Sequence, residues 1–188
     1  MFDVDGTIAE TERDGHRLAF NRAFERFGLP DRWDVESYGR LLAVPGGKER
    51  LRHHLGGRGM APDQVEHLVP KLHAAKNEVF LDLVREGSIP LRQGIARLLD
   101  ELAAEGVRTA IATTGSRDWV VELLSVLLGA GRLARFDVIV TRQDCTRLKP
   151  DPELYLLALE RLGCPPAAVV AVEDSSLGLA AAKAAGLT

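Results

Sequence analysis

Apolar positions along this chain follow one period in the first half and another in the second. From about Thr11 to Arg85 they recur at helical spacing, as in Phe20, Ala23, Phe24 and Phe27 and again in Val65, Leu68, Val69 and Leu72. No strand pattern interrupts them, and Gly28-Leu29-Pro30, Pro45-Gly46-Gly47 and Gly56-Gly57 punctuate the run. The second half alternates. Helical stripes fall at Ile95, Leu98, Leu99 and Leu102, and at Val120, Leu123, Leu124, Leu127 and Leu128, the latter closed by Gly129. Two more follow Pro152 and Glu173-Asp174: Tyr155, Ala158, Leu159 and Leu162, then Leu177, Ala180, Ala181 and Ala184. Between the stripes, Val107 to Thr113, Phe136 to Thr141 and Val169 to Val172 read as short buried strands rich in β-branched residues.

Strands alternating with helices predict a parallel sheet covered on both faces, with ligands at the carboxyl ends of its strands. The expected fold class is therefore α/β: a Rossmann-like core, residues 1–10 and 86–188, whose parallel sheet is flanked by helices. An all-helical domain, residues 11–85, is inserted after the first strand.

Composition agrees with one core and a small insert: 188 residues, 46% hydrophobic and 27% charged. A net charge of −3 argues against a general nucleic-acid binder, while leaving room for a local basic site. Cys145 and Cys164 form no CxxC pair, so free thiols in a reducing interior are expected. No apolar run reaches the roughly 18 residues of a membrane span, and no signal-peptide pattern opens the chain. A cytoplasmic monomer with no membrane or nucleic-acid partner is the expectation. Little strand precedes Asp3, and the chain stops at Gly186-Leu187-Thr188, where the pattern calls for another strand. Both features point to a fragment clipped at its ends.

Four polar clusters fall at strand carboxyl ends. Asp3 and Asp5, in Asp3-Val4-Asp5-Gly6-Thr7, can address one space and attract a hard cation, or accept a phosphate covalently; an Asp-Gly turn closing a hairpin would read the same way. Thr113 and Thr114, before Gly115-Ser116, suit donation to phosphate oxygens, or a simple strand-end cap. Lys149 precedes Pro150-Asp151-Pro152, whose prolines restrain the loop presenting it. Glu173-Asp174 follows four apolar residues, where a metal could reach it; Asp174 or Ser175 could equally cap the next helix.

In order and context these clusters match the four motifs of the haloacid dehalogenase superfamily, and the chain resembles that family throughout. The helical insert stands where the family carries its C1-type cap. Thr11 to Arg17, Leu41 to Arg50, Val172 to Ser175 and Gly178 to Gly186 look like the CbbY group, and more distantly like β-phosphoglucomutase and phosphoglycolate phosphatase. The resemblance implies a Mg²⁺-dependent phosphatase acting on a small phosphorylated sugar, with xylulose-1,5-bisphosphate as the group's substrate.

It further implies that Asp3 is the nucleophile forming an aspartyl phosphate and Asp5 the acid and base. Mg²⁺ would be held by Asp3, the Asp5 backbone carbonyl and Asp174, with Glu173 assisting. Lys149 and the Thr113 hydroxyl would neutralise phosphoryl charge, and Lys149 would keep Asp3 ionised. On the cap, Lys48 and Arg50 would clamp a second phosphate, or else begin a solvated helix. Glu10, His16 and Arg17 would contact the sugar from the hinge side, although His16 also fits a packed position four residues before Phe20. His53, His54, His67 and His73 show no metal-ligand spacing and are expected on the surface. A phosphomutase, a phosphoglycolate phosphatase and a catalytically silent binding fragment remain as rival readings.

Overall fold

The computed structural model describes residues 1–44 and 46–188; Pro45, expected in the turn before Gly46-Gly47, lies outside the described residues. The chain divides into two units, Met1–Glu10 with Ile89–Thr188, and Thr11–Ser88. Among the described residues no helix is long and apolar enough to cross a membrane.

The first unit is a parallel α/β layer. Strand β1, Thr109–Ala112, pairs in parallel with β2, Phe136–Val140, with Ala110 opposite Val138 and Ala112 opposite Val140. Asp137 is the extra residue at the edge of this ladder, and its carboxylate accepts the Thr109 amide at 3.0 Å. Phe2 lies on the other side of β1: its amide donates to Ala110 at 2.8 Å, and the Ala112 amide donates to Phe2 at 2.8 Å. Beyond it, Val172 donates to Met1 at 2.9 Å and Asp3 to Val172 at 3.1 Å. The lateral order is thus β2, β1, the Met1–Asp3 segment and the segment ending at Val172. The last two runs are shorter as strands than their apolar content predicts: Val172 pairs only as a bridge, and Val170 is 61% exposed. Val107, expected in β1, is also exposed.

Helices α5 (Ile95–Ala104), α6 (Arg117–Leu133), α7 (Glu153–Leu162) and α8 (Ser176–Ala184) complete the unit. Two of them differ from expectation. Gly129 does not close α6; it breaks the helix with φ 73°, ψ 160°, after which helical turns resume to Leu133. In α8 the buried face is Gly178, Ala181 and Ala182, while Leu177, Ala180 and Ala184 are exposed. The inward face is turned because Gly178 lies against the Glu173 carboxylate, where a Cβ would overlap it.

The second unit is helical throughout. A wide π-helical turn, Thr11–His16, runs into α1 (Arg17–Arg26), followed by α2 (Val35–Leu41), α3 (Gly47–Gly57) and α4 (Pro62–Arg85). Phe20, Phe24, Trp33 and Tyr38 form an aromatic centre among Leu51, Leu55, Val65, Val69 and Leu72. Asn21 fixes Trp33 by a reciprocal pair of 2.8 Å hydrogen bonds to its backbone. Phe27 is left 38% exposed, since α1 ends at Arg26 and Gly28 turns the chain at φ 66°. His54 is not a surface residue: Trp33 Nε1 donates to its Nδ1 at 3.2 Å, and its Nε2 is 2.7 Å from Asp31. An aromatic side chain that brings its own polar edge inward needs such a partner.

Candidate active site

The sheet sets the site. Asp3 ends one strand segment and Glu173-Asp174 follows its neighbour, so three carboxylates leave adjacent strands on one edge. Thr113 follows β1, its amide bonded to Val140 at 3.1 Å. Lys149 arrives from the loop after β2. That loop is held by Glu153, which accepts the amides of Thr146 at 2.9 Å and Arg147 at 2.7 Å.

The Lys149 ammonium uses all three of its protons. It donates to Asp3 Oδ1 at 2.7 Å and to the Ala112 carbonyl at 3.0 Å, and makes a close ion pair with Glu173 Oε1. Tyr155, fully buried on α7, donates its hydroxyl to the same Glu173 oxygen at 2.5 Å. Asp174 is held separately, accepting from Thr7 Oγ1 at 3.0 Å. Gly6 sits at φ 76° directly against it, where any Cβ would overlap the carboxylate. Ser175 caps α8 by accepting the Gly178 amide at 3.0 Å, so the capping role does not fall to Asp174. Thr113 is buried and its Oγ1 accepts the Gly115 amide at 3.0 Å, which leaves its hydroxyl proton to donate. Thr114 follows, half-buried.

One ammonium cannot balance two buried carboxylates. Burial pushes Asp3 up to about 8; Lys149 pulls it down, and Glu173 and Asp5 add to the rise. Burial works to lower the Lys149 ammonium, but Asp3 and Glu173 outweigh it and hold Lys149 above its ordinary value. Both partners shift upward, and the direction that matters is the excess negative charge. Lys149 pulls the Asp3 carboxyl down as expected, while burial and the second carboxylate push it the other way. Asp174 is raised as well, chiefly by burial, and burial with the Glu173 hydrogen bond keeps Tyr155 protonated far above the ordinary phenol value. One oxygen each of Asp3, Glu173 and Asp174 lies within 4.8 Å of the others. Clustered oxygen donors carrying surplus negative charge fit a hard divalent cation.

The structure thus brings Asp3, Lys149, Glu173 and Asp174 together, with Thr113 and Thr114 on the same strand edge. Asp5 is half-buried in the following turn, bridged to Ala9. Glu10 is ion-paired with Arg92 at 2.5 Å. In the helical unit, His16 Nδ1 is 2.9 Å from Lys76 Nζ and its ring lies tilted against Phe80 with centroids 4.0 Å apart, so the histidine is a packed residue. Arg17 donates to the carbonyls of Arg13 and Trp33 at 3.0 and 3.3 Å. Lys48 is exposed on the first turn of α3. Arg50 is not a solvated clamp. It is 6% exposed and donates to Tyr38 Oη at 2.8 Å and to the Leu41 carbonyl at 3.1 Å, with Glu12 3.9 Å away. Those contacts spend its guanidinium on ordering the α2–α3 connection.

Two site residues escape sequence reasoning. Tyr155 falls on the apolar stripe of α7 and reads as core; its one signal is a polar tip within an otherwise aliphatic face. Thr7 reads as part of a turn, and nothing local marks its bond to a residue 167 positions away.

The sequence model of the haloacid dehalogenase-like hydrolases matches residues 1–186, and the chain belongs to this family. Among relatives, "Protein CbbY" of Rhodobacter capsulatus is 43% identical over the whole chain and 81% of its own length. A "CBBY-like protein" of Arabidopsis thaliana is 41% identical over the whole chain, which spans only 60% of that relative. A crystal structure of CbbY from Rhodobacter sphaeroides in complex with xylulose-1,5-bisphosphate is 44% identical. It superposes with a TM-score of 0.80 over 99% of this chain and 81% of its own.

Proposed function

We propose that the protein is a phosphatase that removes phosphate from a small sugar phosphate through an aspartyl-phosphate intermediate on Asp3, and that its substrate is xylulose-1,5-bisphosphate. The observation that carries this reading is the buried Asp3 carboxylate, 2.7 Å from Lys149 and grouped with Glu173 and Asp174 at the sheet's carboxyl edge. The likeness to a CbbY bound to that bisphosphate supports the substrate.

In this reading Asp3 attacks phosphorus as the ester P–O bond breaks, and Asp5 gives its proton to the departing sugar oxygen. Asp5 then takes a proton from water, which attacks the aspartyl phosphate, releases inorganic phosphate and restores Asp3. Lys149 supplies positive charge beside the phosphoryl group, and the hydroxyls of Thr113 and Thr114 donate to the equatorial oxygens, where charge spreads as the group transfers. Asp3, the Asp5 carbonyl and Asp174, with Glu173 assisting, would hold a Mg²⁺, which would supply neutralisation of phosphoryl charge. For the sugar, Lys48 of the helical unit offers an ammonium for a second phosphate, Glu10 and Arg17 serve the sugar itself, and His16 supports them from its packed place against Lys76 and Phe80. Arg50 has a supporting role there, through Tyr38 and Leu41.

The test is release of inorganic phosphate from a panel of sugar mono- and bisphosphates, with Mg²⁺ and with a chelator. Mg²⁺-dependent release, fastest from xylulose-1,5-bisphosphate, is expected. Conversion of β-glucose 1-phosphate to glucose 6-phosphate would favour a mutase, and silence toward every ester would remove the enzymatic reading.

A further inference from the structure

We infer that Tyr155 is a positioning residue of the reaction: its hydroxyl pins Glu173, and Glu173 in turn holds Lys149 against Asp3. The inference rests on the phosphatase reading and adds to it a residue that touches neither phosphate nor substrate.

A lysine is a compact charge on a flexible stem, so it points where its three donor bonds send it. Two of the Lys149 bonds go to fixed points, Asp3 Oδ1 and the Ala112 carbonyl. The third goes to Glu173 Oε1, on a longer side chain that must itself be held. Glu173 has only 2% of its side chain exposed, so water does not do it. Ser175 Oγ reaches Oε2 at 3.2 Å, a loose contact, while Tyr155 Oη reaches Oε1 at 2.5 Å. An ionised carboxylate only accepts hydrogen bonds, which makes the phenol the donor. Charge-assisted bonds of this kind are short and strong. The Tyr155 ring also faces the ammonium, its centroid 5.1 Å from Nζ. A phenylalanine would fill the same buried space in α7 without a polar atom to satisfy, so the hydroxyl is placed for Glu173 and not for packing.

The test compares Tyr155→Phe with Leu159→Ala, a substitution in the same helix and the same buried cluster. Turnover, KM and melting temperature are measured with the best phosphate ester, and the crystal structure of Tyr155→Phe is determined. We expect kcat of Tyr155→Phe to fall about tenfold with KM changed less than about twofold. Leu159→Ala should melt lower than Tyr155→Phe yet keep its kcat. In the crystal, Lys149 Nζ of Tyr155→Phe should move off Asp3. A Tyr155→Phe kcat within about twofold of the parent, or a fall matched by Leu159→Ala, overturns the inference. A parent inactive toward every ester removes the phosphatase reading alone. The crystal structure then decides: Nζ displaced from Asp3 supports the positioning role, and Nζ still in hydrogen-bond contact with Asp3 overturns it.

Discussion

At Asp3, burial and the carboxylates of Glu173 and Asp5 oppose a single lysine, and the outcome is a pKa near 8 in place of the ordinary 3.8. A carboxyl raised on folding stabilises the fold while protonated. That contribution is complete below about pH 4 and is lost as the pH rises through about 8. Asp3→Asn, which is neutral at every pH, is therefore expected to melt higher than the parent at pH 8 without divalent cation, with the gap closing toward pH 5. Its phosphate release should fall by roughly a thousandfold or more. Melting curves across that range check the sign. Gly6 makes a second residue-scale case, because its φ of 76° and its contact with Asp174 both exclude a side chain. Gly6→Ala should cost roughly 1–2 kcal/mol in backbone strain and displace Asp174. The expected readout is a lower melting temperature that Mg²⁺ no longer raises. Asp3 and Glu173-Asp174 were legible because each follows an apolar run, and Lys149 because Pro150-Asp151-Pro152 follows it. Tyr155 and Thr7 were not, since what singles them out is a tertiary partner.

Among the elements, the loop between β2 and α7 shows how local chemistry aims a distant side chain. Glu153, in the first turn of α7, accepts from both amide and hydroxyl of Thr146 and from the Arg147 amide, three and two residues before Lys149. The backbone bonds from Thr146 and Arg147 lower its carboxyl to about 2. A carboxyl lowered on folding stabilises above its unfolded value of 4.5, and that stabilisation is lost as the pH falls toward 2. Protection of the Thr146 and Arg147 amides, measured against their intrinsic exchange, should fall through that window in the parent. Glu153→Gln should exchange fast at neutral pH, with turnover reduced because Lys149 is less well presented. The helix periods were readable, yet the facing of α8 was not. Leu177 outranks Gly178 on hydrophobicity, while Gly178 is turned inward because only a glycine fits against Glu173. Arg50 carries the same lesson on α3: a cation beside two glycines reads as solvated until Tyr38 and the Leu41 carbonyl are seen to take it.

For the whole molecule, the parallel α/β layer and the separate helical unit follow from a change of hydrophobic period, the signal least sensitive to detail. Strand ends were less legible, because pairing depends on a neighbour and not on composition: Val170 is as β-prone as Val138 but stands 61% exposed. In the proposed reading the chemistry belongs to the sheet edge and recognition of a second phosphate to Lys48. Lys48→Ala should accordingly raise KM for a bisphosphate about tenfold and leave kcat for a monophosphate within about twofold. Initial rates on the two substrate types would measure it.

The proposed covalent step is open to the most direct measurement. The protein is mixed with substrate and Mg²⁺, quenched in acid and reduced with borohydride, which converts an acyl phosphate to an alcohol. The peptide Met1–Arg13, which holds both Asp3 and Asp5, is then sequenced by mass spectrometry. Homoserine at position 3 and unchanged aspartate at position 5 is the predicted result. Phosphate release with both residues unmodified, or with the label on Asp5, would contradict it.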